Sequence, residues 1–221
     1  MREIKKEVVF DFIEKYLNSF KPKLNDELLN LQKKALDDNI PIIKPEVINF
    51  LTAMLTLKKP KNILEIGTAY AFSSILMCTW LPNSKVTTIE RDARMIENAK
   101  KNIKSFNLND RITLLEGDGV EMLKSIDENN EKFDLIFIDA SKSHYNEFMK
   151  ESKRLLKDDG LIIADNVLYK GLVAKDRFEV IRRDRTIHKR MNEFVNDAYA
   201  DENFDTCLLP TGDGILVSVK R

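Results

Sequence analysis

Five short β-rich runs alternating with helix-length segments constrain this chain more than any other feature. "NILEIG", "KVTTIE", "RITLLEG", "FDLIFID" and "LIIADN" follow one another from Lys61 onward, separated by helical patterns such as residues 92 to 106 and 144 to 157. Parallel strands need a crossover of a dozen residues or more, so this rhythm predicts βαβ units and a parallel sheet covered on both faces. A charged helical stretch follows from about residue 177 to 200, and then "FDTCLLP" and "GILVSVK" joined by "TGDG". That connection is too short for a crossover, so the last two runs must pair antiparallel as a hairpin. The expected class is α/β: a doubly wound Rossmann-like sheet with helices on both faces. Its core occupies residues 61–221, and residues 1–60 form a helical segment packed against it within one domain spanning 1–221.

A chain of 221 residues is long enough for such a core, burying roughly 70% of the surface its unfolded form exposes. Lys plus Arg and Asp plus Glu balance at 36 each, so no global field favours nucleic acid or a membrane surface, and a polyanion would have to be held by a local patch. The two cysteines, Cys78 and Cys207, lack metal or redox spacing and read as reduced packing residues. "MREIKKEVVFDF" has no signal-peptide apolar core, and no apolar stretch approaches the length of a membrane span. A cytoplasmic protein is expected.

In a doubly wound sheet, ligands collect outside the carboxyl ends of the strands where strand order reverses. After the first strand, "EIGTAYAFSS" places Gly67 for a tight turn into a helix, either as plain helix geometry or to bring a ligand against the helix amides. A dinucleotide fingerprint would want glycines at 69 and 72, where the chain has Ala69 and Phe72. The second strand ends in Glu90, about 20 residues on, where an acid can accept both hydroxyls of a ribose; Asp92 is already available to cap the next helix. Asp118, in "LEGDG", can either cap its helix or receive an adenine amino group, with Gly117 and Gly119 letting a flat ring approach.

Strands four and five both end on acids. Burying a charge is costly, so Asp139 after "FDLIFI" and Asp165-Asn166 after "LIIA" need a compensating partner. If these strands are neighbours, the three side chains converge as hard oxygen ligands suited to Mg²⁺. Helix capping by Asp139 and a polar turn at Asp165-Asn166 are the alternative.

These motifs, with "FIDASK", "IIADNVLYKGLVA" and the "LPTGDG" hairpin, resemble in order and spacing the class I S-adenosylmethionine O-methyltransferases of the catechol and caffeoyl-coenzyme A type over roughly residues 40 to 221. Within that family, "DNVLYKGLVA" and "LLPTGDGILVS" are most similar to bacterial tRNA 5-hydroxyuridine methyltransferases. The resemblance implies a seven-stranded mixed sheet of order 3-2-1-4-5-7-6 and a homodimer. It implies that Gly67 and Ser73 hold the methionine part of the cofactor, that Glu65 and the backbone at Ile43 also contact the cofactor, that Glu90 binds its ribose, and that Asp118 and Gly119 serve its adenine. It further implies Asp139, Asp165 and Asn166 as Mg²⁺ ligands, Asp139 also bordering the cofactor and the reacting groups, and Lys142 as the general base. Ala71 departs from the family, which usually has glycine there.

The implied reaction is transfer of the sulfonium methyl to a hydroxyl aligned and deprotonated in the site. In 5-hydroxyuridine the 5-hydroxyl and 4-carbonyl oxygens are adjacent, as in a catechol. The implied product is 5-methoxyuridine at the wobble position of a tRNA anticodon loop, with a small catechol-type acceptor as the alternative. "RRDRTIHKR" puts Arg182, Arg183, Arg185, Lys189 and Arg190 on one expected helix, after Lys170 and Lys175; they can grip RNA phosphates or be a solvated face. His144 and His188 are expected as exposed polar positions rather than metal ligands. A nicotinamide-dependent oxidoreductase lacks its glycines here, and a noncatalytic nucleic-acid-binding module leaves the acids at the strand ends unexplained.

Overall fold

In a computed structural model describing residues 8–221, the expected sheet forms. The first part of "MREIKKEVVFDF" lies outside the described residues. Three helices lead in: α1 (Asp11–Ser19), α2 (Asp26–Asp37) and α3 (Pro45–Lys58). Then β1 (Asn62–Ile66), α4 (Phe72–Trp80), β2 (Lys85–Glu90), α5 (Ala93–Ser105), β3 (Ile112–Glu116), α6 (Gly119–Ser125), β4 (Phe133–Ile138), α7 (Tyr145–Leu155) and β5 (Leu156–Ala164) alternate. The chain closes with α8 (Arg185–Ala200), β6 (Phe204–Leu209) and β7 (Ile215–Lys220). The strand order is β3-β2-β1-β4-β5-β7-β6. The first five strands run parallel, and β7 is antiparallel to both β5 and β6.

Alternation along each strand divides the core in two. Ile63, Leu135, Phe137 and Ile163 face α2, α3, α4 and α5, while Leu64, Ile66, Ile136, Ile138 and Ile162 face α6, α7 and α8. Both faces of the central strands are therefore dry, which is why they read as continuous apolar runs. Strand order reverses between β1 and β4, and the strand ends there are stapled together. The amide of Gly67 donates to Ile89 O (3.1 Å), that of Asp139 to Ile66 O (3.0 Å), that of Asp165 to Ile138 O (2.9 Å) and that of Gly117 to Glu90 O (2.9 Å). Each residue just beyond a strand is thus held by the last turn of the neighbouring ladder.

Three expectations are corrected. The basic stretch is not one helix: Arg182–Asp184 form a 3₁₀ turn and α8 begins at Arg185. His188 is 7% exposed rather than on the surface, because the register of α8 turns it inward, where its Nε2 lies 2.9 Å from Lys175 O. Cys207 is exposed, since β6 is the sheet's edge strand, whereas Cys78 is buried as expected. Among the described residues, no helix is long and apolar enough to cross a membrane.

Candidate active site

Two connected cavities open beyond the strand ends. The larger, about 460 Å³, has Ile43 and Lys44 on one wall, the loop Gly67–Ser73 on another, and Asp139, Lys142, Asp165, Asn166 and Asp213 at its far end. The smaller, about 210 Å³, is lined by Glu90, Arg91, Asp118, Gly119, His144 and Phe148. Gly67, Ala69, Asp139 and Ala140 border both. The fold therefore brings together Ile43, Gly67, Ser73, Asp139, Lys142, Asp165 and Asn166 in one space, and Glu90, Asp118 and Gly119 in the next.

Gly67 is required by its surroundings. Its φ is +103°, and a Cβ there would overlap the carbonyl oxygen of Asp139. The two alanines that follow also take left-handed backbone, Ala69 at φ 44° and Ala71 at φ 61°. Each costs about 1 kcal/mol, so the helix start that the family's glycine would permit survives at Ala71 with strain. The loop is held against that strain: Ala69 N donates to Glu90 Oε2 (2.9 Å), and Ala71 N to Thr68 O (2.7 Å).

Glu90 does not cap α5. Asp92 does, receiving Arg94 N and Met95 N, while Glu90 Oε1 receives Arg91 N and Asp92 N, both at 2.9 Å. The Glu90 carboxylate is thereby fixed in orientation at the edge of the smaller cavity. Asp118 both caps α6, through Val120 N and Glu121 N, and faces that cavity. Gly119 matters for space: a Cβ there would lie 2.9 Å from Phe148 Cε1. This allows the Phe148 ring to form a wall on which a flat heterocycle can lie.

Glu65 sits behind the cavities, not in their walls. Fully buried, it accepts hydrogen bonds from the Ser74 and Thr88 hydroxyls, and its Oε1 has no partner. Burial pushes its carboxyl up to about 7, against the hydroxyl hydrogen bonds that pull it down.

Asp165 is 2% exposed. Its Oδ1 receives the Asn166 amide (2.7 Å), and Asn166 Nδ2 donates to Asp139 Oδ1 (3.2 Å). Burial, and then the neighbouring Asp139, push the Asp165 carboxyl up to about 8; burial also raises Asp139, while Lys142 and the Asn166 amide draw it down. Two buried carboxylates that repel each other, with the Asn166 side chain beside them, fit a hard divalent cation, whose charge would remove that penalty once the amide, which here gives its nitrogen to Asp139, offers its oxygen instead. Among the described residues no three His, Cys, Asp or Glu side chains cluster as ligands, so the set depends on Asn166. Its left-handed backbone (φ 60°) suits asparagine.

Lys142 follows on a 3₁₀ turn, Lys142–His144. Burial holds its amine below the usual lysine range, opposed by Asp139, Asp165 and Asp213. Its Nζ lies 5.9 Å from the Tyr145 ring and 5.7 Å from the Tyr169 ring.

Of the expected polyanion contacts, Arg183 lines a further cavity of about 300 Å³ together with Ser141, Lys142, Ser143, Thr186 and Arg190, next to the candidate base. Lys170 borders another, with Glu14, Lys44 and Asp213. Lys175 and Arg185 are also tied into the intervening loop: the Lys175 backbone carbonyl meets His188, and Arg185 Nε donates to Val180 O at 3.0 Å, bonds that involve neither the Lys175 amine nor the terminal nitrogens of Arg185. Arg182 is exposed and lines none of these cavities.

Sequence reasoning missed Lys44, Asp213, Tyr70, His144 and Phe148 as wall residues. The "GDG" of the last hairpin held a signal for Asp213, because glycines on both sides of an acid mark a turn that another segment approaches closely. Gly214 O and Asp213 O receive the Val167 and Leu168 amides, each at 2.9 Å, which lays the hairpin turn on the Asp165-Asn166 loop.

This arrangement has close relatives. The O-methyltransferase family profile matches residues 18–221. A catechol O-methyltransferase from Niastella koreensis is 32% identical over 169 residues, covering 75% of this chain and 76% of that protein. A Staphylococcus aureus structure assigned as a caffeoyl-CoA O-methyltransferase superposes with a TM-score of 0.87 at 31% identity, covering 96% of this chain and all of that one. An O-methyltransferase from Bacillus cereus, solved with S-adenosylhomocysteine, gives 0.81 at 25% identity over 95% and 97% of the two chains. With a match that runs from the end of α1 to the last residue, the chain belongs to the O-methyltransferase family of S-adenosylmethionine-dependent enzymes.

Proposed function

We propose that this single-domain, cytoplasmic enzyme uses S-adenosylmethionine and a divalent cation to methylate one of two adjacent oxygens on its acceptor, and that the acceptor is the 5-hydroxyl of wobble 5-hydroxyuridine in tRNA. The observation that carries the reading is the meeting of Asp139, Asp165, Asn166 and Lys142 at the end of a cavity whose other walls suit a nucleoside and an amino acid. Glu90 receives the ribose hydroxyls, Asp118 the adenine amino group and Phe148 the ring face, while Gly67 and Ser73 border the methionine end. Asp139, Asp165 and Asn166 would hold the cation, most simply Mg²⁺. When bound, it supplies two positions for adjacent oxygens and lowers the pKa of a hydroxyl placed there. Lys142 takes the hydroxyl proton at Nζ, since burial favours its neutral form. The walls exclude water and align the oxygen with the methyl group.

The tRNA reading is supported by Arg183 and Arg190, which flank the cavity beside Lys142, and by Lys170 on the acceptor side. A single-stranded anticodon loop can present a splayed base there while its phosphates meet these cations. The catechol and caffeoyl-CoA enzymes among the relatives favour a small acceptor as the second reading. Charge reversal of Arg183 and Arg190 tests the choice. For tRNA, KM should rise about tenfold or more and its salt dependence should flatten, with methylation of free 5-hydroxyuridine or a catechol nearly unchanged. Equal handling of tRNA by both enzymes at every salt concentration, or a parent preference for a catechol by orders of magnitude in kcat/KM, would reject tRNA as the acceptor.

A further inference from the structure

The two long walls of the larger cavity come from distant parts of the chain: Pro41–Lys44, which follows α2, and Gly67–Ser73, which follows β1. Tyr70 lies at the centre of the second wall, between the left-handed Ala69 and Ala71. The residue is 5% exposed and lines the cavity. Its hydroxyl donates to Asp38 Oδ2 at 2.6 Å. Asp38 caps the C-terminus of α2, its amide held by Lys34 O at 3.0 Å, and Ile40 N returns to Ala35 O at 2.8 Å just before the first wall begins. On the other side, the Tyr70 carbonyl receives Asn102 Nδ2 at 2.9 Å, and Lys34 Nζ sits 5.8 Å from the Tyr70 ring centre and 3.5 Å from Asn102 Oδ1.

We propose that Tyr70 and Asp38 form a latch that fastens the two walls of the cofactor cavity to each other and so sets how long the cofactor is retained. The strained alanines leave the loop without an intrinsic preference for its bound shape, and the tyrosine at its centre supplies the anchor. A cofactor seated between the walls leaves only when they part, so loosening the latch raises the dissociation rate while the atoms that react stay where they were. Both side chains are positioning residues, and neither touches the reacting groups. The inference rests on the reading of this cavity as the S-adenosylmethionine site.

Binding and release of S-adenosylhomocysteine, followed by calorimetry and stopped-flow fluorescence, test it. Tyr70→Phe should raise Kd and the dissociation rate about threefold to tenfold, the range for one hydrogen bond to a partly exposed ionised group. Asp38→Ala should match it, Asp38→Asn, which keeps an acceptor oxygen, should stay close to the parent, and the double variant should add nothing to the single ones. An unchanged Kd and release rate in Tyr70→Phe overturns the latch, as does a lowered melting temperature of the cofactor-free variant with unchanged affinity, which marks a purely structural bond. A parent that binds no S-adenosylhomocysteine overturns the cofactor reading itself, and the latch with it.

Discussion

Glu65 illustrates how a single residue's role depends on what lies behind the wall as much as in it. The family resemblance implies it as one of the groups around the cofactor; in the fold it lies behind the cavity wall and supports the loop through Ser74 and Thr88. No spacing rule could tell these apart, since adjacent residues on a strand face opposite sides of the sheet and the deciding partners come from β2 and α4. Its carboxyl titrates near 7 when folded and near 4.5 in its ordinary state, so between these values the folded chain holds more protons than the unfolded one. Its contribution to stability is therefore complete below about 4.5 and is lost as pH rises through about 7. Glu65→Gln should flatten that segment of the stability–pH curve, measured by denaturant unfolding at a series of pH values; parallel curves for parent and variant would show that Glu65 is charged throughout. Gly67, Glu90 and Asp139 were legible because each sits at a strand end, where the parallel-sheet rhythm fixes position. Lys44, Tyr70 and Phe148 were not, because helix- and loop-borne wall residues depend on how elements pack.

Among the elements, the β6–β7 hairpin does more than close the sheet. Its turn is laid on the Asp165-Asn166 loop by the Val167 and Leu168 amides, and Gly214, at φ +93°, has no room for a side chain because its Cβ would lie 2.7 Å from Leu168 Cβ. The sequence disclosed the hairpin from the length of "TGDG", but not that this turn supports the candidate metal ligands. Gly214→Ala should cost about 2 kcal/mol or more in stability and weaken divalent-cation activation, read as a rise in the Mg²⁺ concentration giving half-maximal rate. A variant that is destabilised yet activated at the parent's Mg²⁺ concentration would uncouple the turn from the ligand loop. The basic segment shows the opposite failure of sequence reading. Periodicity merged a 3₁₀ turn and the start of α8 into one helix, and did not show that Arg185 Nε is tied to Val180 O. Only tertiary contacts distinguish Arg183 and Arg190, beside Lys142, from their neighbours.

At the scale of the whole molecule, reversal of strand order between β1 and β4 gathers residues from five strand ends and one hairpin turn into a single site. That topology was legible, because short runs joined by helix-length crossovers leave few ways to build a sheet. Buried acids escape the cost of desolvation either by taking up a proton or by binding a cation, and the proposed function takes the cation as the answer here. Its most direct test is methyl transfer by the purified enzyme with and without chelator, for the parent and for Asp165→Ala, alongside S-adenosylhomocysteine binding by both. The account predicts that chelator abolishes turnover by the parent, that Mg²⁺ restores it, and that Asp165→Ala loses about a hundredfold or more of the rate while remaining folded and binding S-adenosylhomocysteine like the parent. Undiminished turnover in excess chelator, or an active Asp165→Ala enzyme, would contradict it.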